Sequence, residues 1–237
     1  MAHHPSASNN AFWAEIYTNM PIVGADRPHP YRDTPSPRCF GTVSPLDPAL
    51  FASIETFVTD LTTGTPSPRY SPLEVAAWLE GFAETAEREL QEAEDQIADR
   101  TDPAFRRVAI DIAIQAGIGH FFADKLRAGV SYALSQHTGD IQKLSEALSF
   151  YRRARDAWAY LAQTASVYGP DLTYGRSPHL RGHWSDRLPA IDGDIQDMEK
   201  RLEEQEGKEQ EEAVTVEKTR EIPDVTCTHT PPESFSR

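Results

Sequence analysis

The densest gathering of side chains able to do chemistry lies between Pro170 and Asp186, where Tyr174, Arg176, His179, Arg181, His183 and Trp184 crowd one connection. Long ordered loops are commonly functional. Tyr174 and Trp184 can stack on sugar rings, while His179, Arg181, His183 and Asp186 can hydrogen-bond hydroxyls or a carboxylate. The segment is therefore a candidate ligand-binding loop. The same residues have a plainer use, in which aromatic rings pin the loop to a helical body and Arg and His bond helix-end carbonyls. A second cluster, Trp13, Tyr17, Asn19, His29, Tyr31 and Arg32, mixes aromatic and polar groups near the start. It reads as anchors for an irregular arm or as a second wall of the same site.

Catalytic signatures are otherwise absent. The chain holds no phosphate-cradling glycine loop, no Gly-x-Ser-x-Gly elbow, no His-Glu-x-x-His and no Cys-x-x-Cys. No catalytic residue, metal site or cofactor is assigned. Asp192 and Asp194 stand two residues apart on a helical stretch, roughly 200° around it, so their carboxylates diverge and a solvated face is the expectation. A hydrolase built on Asp171, Asp186 or Asp124 would need carboxyl groups roughly 5 to 10 Å apart across a cleft. His120 reads as a hydrogen-bonded core histidine, and Asp111 and Asp124 as partners for Arg127, Arg153 or Arg155. Trp78 and Trp158 fall at helical spacing and are assigned to packing. Arg152, Arg153 and Arg155 form a basic run best explained by an exposed face or internal ion pairs.

The elements that must position these residues are helices. Asp47-Pro48 reads as an N-cap with proline at the first helical position, and Leu50, Phe51, Ile54, Phe57, Val58 and Leu61 follow as one stripe before Gly64. Ser71-Pro72-Leu73-Glu74 is a capping box opening a second helix that carries Ala76, Leu79, Ala83, Ala86 and Leu90. Asp102-Pro103 opens a third, apolar on several faces and hence central, which ends at Gly139. Within it Gly117, Gly119 and Gly129 each cost roughly 1 kcal/mol of helix propensity, so a neighbour should approach closely there. Asp140 caps a fourth helix through Leu144, Tyr151, Trp158 and Tyr168 to Gly169-Pro170, and Leu188, Ile191, Ile195, Met198 and Leu202 mark a fifth.

The expected architecture is all-α, an antiparallel bundle of about four to five helices over residues 47–205. A proline-rich irregular arm at 1–46 packs on it, and an acidic, poorly ordered tail follows at 206–237. Cys39 and Cys227 lie far apart in irregular segments, so a disulfide between them stays open. The net charge of −14 argues against nucleic acid or an anionic membrane surface as the main partner. No stretch reaches the roughly 18 to 20 apolar residues that cross a bilayer, and the first residues lack a secretory apolar run. As written, the chain is expected in the cytoplasm, or outside the cell if it is a piece of a longer protein. Oligomeric state is not legible.

Three phrases carry a likeness: Tyr17-Thr18-Asn19-Met20-Pro21; Phe40-Gly41-Thr42-Val43-Ser44-Pro45-Leu46-Asp47; and Leu180-Arg181-Gly182-His183-Trp184 leading into Asp186-Arg187-Leu188-Pro189-Ala190-Ile191-Asp192. Together, over about residues 11 to 200, they resemble the helical ancillary region of large multidomain bacterial glycoside-hydrolase-like proteins. The resemblance implies a non-catalytic module that binds a glycan or packs against a catalytic or β-sandwich domain. It makes the strand-like tail from Val225 similar to an entry into a β-sandwich. Two alternatives remain beside it. One is a helical interaction scaffold, since Gly139-Asp140 with Ala147, Tyr151 and Ala154 is like a tetratricopeptide hairpin, although no 34-residue period repeats it. The other is the small glycan hydrolase with cleft carboxylates.

Overall fold

The computed structural model describes residues 20–24, 39–42, 45, 47–65, 67–169, 172–173 and 181–220, with the backbone alone at 172–173, 181 and 212–220. Among these residues the fold is an all-α helical bundle with five α-helices: α1 (Ile54–Thr63), α2 (Pro72–Gln96), α3 (Pro103–Thr138), α4 (Ile141–Thr164) and α5 (Leu188–Arg220). A short 3-10 turn at Phe40–Thr42 precedes α1, two more at Ala165–Val167 and Trp184–Arg187 lie between α4 and α5, and Leu172–Thr173 pairs with Arg181–Gly182 as a two-residue antiparallel ladder.

Most helix boundaries follow from local chemistry. Ser71 and Glu74 close the capping box reciprocally, with Ser71 N donating to Glu74 Oε2 at 2.8 Å and Glu74 N to Ser71 Oγ at 3.2 Å. Asp102 caps α3 through Ala104 N and Phe105 N, and Gly139, at φ 74°, lets the chain turn out of α3 before Asp140 caps α4. The first helix departs from expectation. Asp47 closes only a turn, accepting from Ala49 N and Leu50 N. The next residues are drawn into a backbone bridge, Ala52 N to Tyr70 O and Tyr70 N to Leu50 O, both at 2.9 Å. That bridge holds the chain extended, so the helix starts afresh at Ile54 with Ser53 as its cap.

Helix α3 is the centre, and its three glycines each admit a different neighbour. A Cβ at Gly117 would lie 2.6 Å from Leu161 Cβ on α4, and one at Gly119 3.0 Å from the Leu79 carbonyl oxygen on α2. At Gly129 it would meet Ile54 Cδ1 on α1 at 2.7 Å. Contacts from α3 to α4 run Ser131 with Glu146, Asp124 with Arg153, Phe121 with Trp158 and Gly117 with Leu161, so numbers rise on one helix as they fall on the other. Between α3 and α4 the buried faces interlock through Phe121, Leu144, Ala147, Tyr151, Ala154, Trp158 and Leu161.

Two compact units divide the chain, Met1–Leu202 and Glu203–Arg237. Within the first, α5 contributes Ile191, Ile195 and Met198 to the core. Of the second, the described part is the continuation of α5 to Arg220, which is helical where a poorly ordered tail was expected from 206, because its Glu, Gln and Lys residues are good helix formers. The strand-like tail from Val225, with Cys227, lies outside the described residues.

Gly81 in α2 makes a useful contrast with Gly117, because nothing lies within 4 Å of where its Cβ would be. In urea unfolding, Gly81→Ala is expected to stabilise the fold by up to about 1 kcal/mol through helix propensity. Gly117→Ala is expected to cost about 1 to 3 kcal/mol through overpacking against Leu161. Equal effects from the two would contradict this packing.

Candidate functional site

The connection between α4 and α5 is where sequence chemistry concentrates, and its His183 and Trp184 are folded inward. Trp184 is 1% exposed. Its ring packs against Tyr168 at 6.1 Å and edge-on to His183 at 5.3 Å, and its carbonyl accepts the Trp158 indole N–H at 2.8 Å. It therefore offers no ring face to a ligand, contrary to the stacking role the sequence allowed. His183 is buried as well. Its Nε2–H donates to the Ala165 carbonyl at the end of α4 (3.1 Å), which leaves Nδ1 as the acceptor for Ser185 N. Asp186 returns the favour within the same turn, accepting from His183 N at 2.6 Å.

Gly182 completes this knot. At φ 110° it occupies backbone space closed to other residues, and a Cβ there would stand 2.6 Å from Asp186 Oδ2. His183, Trp184 and Asp186 thus tie the incoming strand of the loop to the end of α4 and the start of α5. This is the pinning use of such residues, helix-end carbonyl included. Tyr174, Arg176 and His179 lie outside the described residues, as does the side chain of Arg181. All six members of the arm cluster, Trp13, Tyr17, Asn19, His29, Tyr31 and Arg32, also lie outside them.

A different constellation, missed by sequence reasoning, sits at the heart of the bundle. Lys125 on α3 is 0% exposed and Asp194 on α5 is 1% exposed. Between them and the solvent runs the irregular segment Met20–Gly24, whose Met20, Ile22 and Val23 are buried. Lys125 Nζ donates to the Met20 carbonyl at 2.8 Å, and Asp194 accepts from Ile22 N (2.6 Å) and Val23 N (3.2 Å). Phe40 N donates to the Pro21 carbonyl, and the Tyr132 hydroxyl reaches the Val23 carbonyl at 3.4 Å. Side chains here do for an irregular backbone what a neighbouring strand does in a sheet.

The electrostatics match that geometry. Burial drives the Lys125 ammonium down to about 7 against the pull of Asp194, and its charge faces the rings of Phe40, Phe121 and Tyr151 at 4.9, 5.5 and 5.7 Å. Burial pushes the Asp194 carboxyl up, opposed by the Ile22 N–H, Lys125, the Tyr151 hydroxyl and the Val23 N–H. The expected solvated pair is thereby corrected. Asp192 bonds Arg155 Nε at 2.8 Å on the outer side, while Asp194 points into the core because the arm's amides await it. Helical spacing showed that the two diverge, but not that one diverges inward.

Other assignments sort the same way. Asp124 is held by Arg153 at 2.9 Å and Arg127 at 3.2 Å, and Arg127 also grips Glu80 across to α2. Asp111 instead accepts the Tyr168 hydroxyl, which burial and that carboxylate push up to about 12. Arg152 pairs with Glu199. His120 is hydrogen-bonded to Glu87 at 3.1 Å but lies at the edge of α3 and only half-buried, not in the core. Trp158 is core; Trp78 is not, with 42% of its surface exposed, since it lies on the face of α2 opposite the buried Ala76 and Ala83. Among the described residues no group of three or more His, Cys, Asp or Glu is arranged to hold a metal, and no helix is long and apolar enough to cross a membrane. Comparison with protein-family models, with curated proteins and with solved structures finds no match to this chain.

The Lys125 and Asp194 roles are open to test by stability. Removing one partner strands the other charge in the core, so Lys125→Met and Asp194→Asn should each cost about 3 to 5 kcal/mol, and the double variant less than their sum. The pH dependence has a definite sign. Between about 7 and the ordinary lysine value of 10.5, the unfolded chain keeps a proton that folded Lys125 has released. Stability conferred through Lys125 therefore rises with pH across that window, the reverse of a surface ion pair. Chemical denaturation at pH about 7 and about 9 should show the rise in the natural chain and a smaller one in Lys125→Met.

Proposed function

We propose that this chain is a non-catalytic helical module of a carbohydrate-active protein, serving by packing against a neighbouring domain or by binding a glycan. One observation supports the non-catalytic part. The ionisable and aromatic groups best suited to chemistry among the described residues are engaged in holding the fold: His183 and Asp186 at a helix junction, Asp124 between two arginines, Lys125 and Asp194 on the arm's backbone. A cleft hydrolase needs two carboxyl groups free to face a substrate. Asp124 and Asp186 are committed elsewhere, and Asp171 lies outside the described residues.

The carbohydrate part rests on the resemblance of the three sequence phrases, with Tyr174, His179 and Arg181 as the residues proposed to contact a glycan. Trp184 is removed from the list of platforms by its burial. Of the two versions, packing draws further support from an aromatic face on α2 with no role in the core. The interaction-scaffold alternative gains nothing comparable, since α3 and α4 form one hairpin within a bundle rather than a repeated unit.

Affinity electrophoresis through xylan, glucomannan, laminarin and soluble starch tests the binding version. Retardation by one of these that Tyr174→Ala or Arg181→Ala reduces is the expected result if the loop binds glycan. Migration unchanged in all four removes that version and leaves packing.

A further inference from the structure

The outward face of α2 is apolar where a helix of a self-contained bundle is usually polar. Phe82 is 71% exposed, and Trp78 stands one turn before it on the same face. Trp78 is held rather than loose. The Tyr70 ring meets it edge-on at 4.9 Å, and Tyr70 is itself fixed by the backbone bridge to Leu50 and Ala52 and by the Phe51 ring at 5.8 Å. A braced exposed aromatic loses little freedom when something docks on it, which is the behaviour of an interface anchor.

Gly81 is the second observation. A glycine in mid-helix weakens the helix, and each of the three glycines in the body of α3 has a neighbour pressed against it. Gly81 has no such neighbour among the described residues, yet it lies between Trp78 and Phe82 on the surface. Its missing side chain leaves a dent beside the Trp78 ring, three residues back on the same side, where a bulky apolar side chain can come close to the helix backbone.

Charge decides what kind of occupant fits. Helix α2 carries eight carboxylates against the single Arg88. Glu80 and Glu87 are used across the bundle, on Arg127 and His120, while Glu74 keeps its charge beside the capping-box serine and Glu89 meets the exposed Arg88 at 3.2 Å, leaving the helix strongly negative. Glu74 lies one turn before Trp78, and Glu89 and Glu92 two to three turns beyond Phe82 on the same side, so the aromatic dent has an acidic rim at both ends. A second copy of this chain would set like charges against each other. A neutral glycan would make no use of the rim.

We propose that the Trp78–Gly81–Phe82 face of α2 is a docking surface for a basic amphipathic polypeptide segment, with an apolar residue seated over Gly81 and Lys or Arg opposite Glu74, Glu89 and Glu92. This deepens the packing version of the proposed function and rests on it.

The full chain is titrated by calorimetry with two synthetic amphipathic helices of identical leucine pattern, one with lysine flanks and one with glutamate flanks, and with cellohexaose. Saturable binding of the lysine peptide alone is expected. Phe82→Asp is the decisive variant, because it adds a negative charge. Attraction by charge alone would tighten the lysine peptide, whereas loss of the anchor weakens it by at least about tenfold. Gly81→Leu, which fills the dent without touching the core, should weaken it similarly. Unchanged or tighter binding in both variants, equal binding of the glutamate peptide, or cellohexaose binding that Trp78→Ala abolishes would each overturn the proposal. Peptide docking is read independently of the polysaccharide gels, so loss of docking with retained glycan retardation overturns this surface and leaves the module reading standing.

Discussion

A buried stretch of irregular backbone must find hydrogen-bond partners, and here that requirement organises the centre of the molecule. Met20–Gly24 enters the core without belonging to any helix or sheet, so its carbonyls and amides have no ladder to join. Lys125, Asp194 and Tyr132 supply the partners from two helices, α3 and α5. The desolvation of two opposite charges is offset by main-chain bonds, aromatic faces and each other. Remove the arm and the same charges become the least favourable groups in the bundle. Arm, α3 and α5 are therefore interdependent parts of one packing solution.

The same logic explains the loop between α4 and α5. It joins two helices whose ends leave carbonyl and amide groups unpaired, and His183 with Asp186 satisfies several of them in a four-residue turn. Trp184 lies beneath that turn, where its carbonyl also receives the Trp158 indole. Residue types that bind sugars are equally good at closing a junction, because both tasks ask for a flat apolar body with a polar edge. What distinguishes the two tasks is exposure, and the junction won for His183 and Trp184, both of them buried. The surface of α2 gives the opposite outcome: there, aromatic residues spaced as if for a core were left facing outward.

Much of the architecture was legible in particular residues. Ser71 with Glu74, Asp102 before Pro103, and Gly139 before Asp140 announced helix ends because capping is a contact between residues close in sequence. Gly117, Gly119 and Gly129 announced close approach because nothing local justifies a glycine there. Asp47-Pro48 failed as a helix start for a complementary reason, since the bridge from Leu50 and Ala52 to Tyr70 joins residues about twenty apart and overrides a local cap. His120 and Trp78 failed because helical periodicity ranks faces without saying how far the covering neighbours extend.

The sequence by itself determined that the body of the chain is helical, where the capped helices begin, and which glycines of α3 would be touched, all of them consequences of short-range sterics and hydrogen bonding. Only the tertiary structure decided that Asp194 and Lys125 would meet the arm's backbone, that Trp184 would be sealed and that Trp78 would stay open. Those outcomes depend on which chain segments, distant in sequence, come to share a boundary with water, and no local pattern of residue types contains that information.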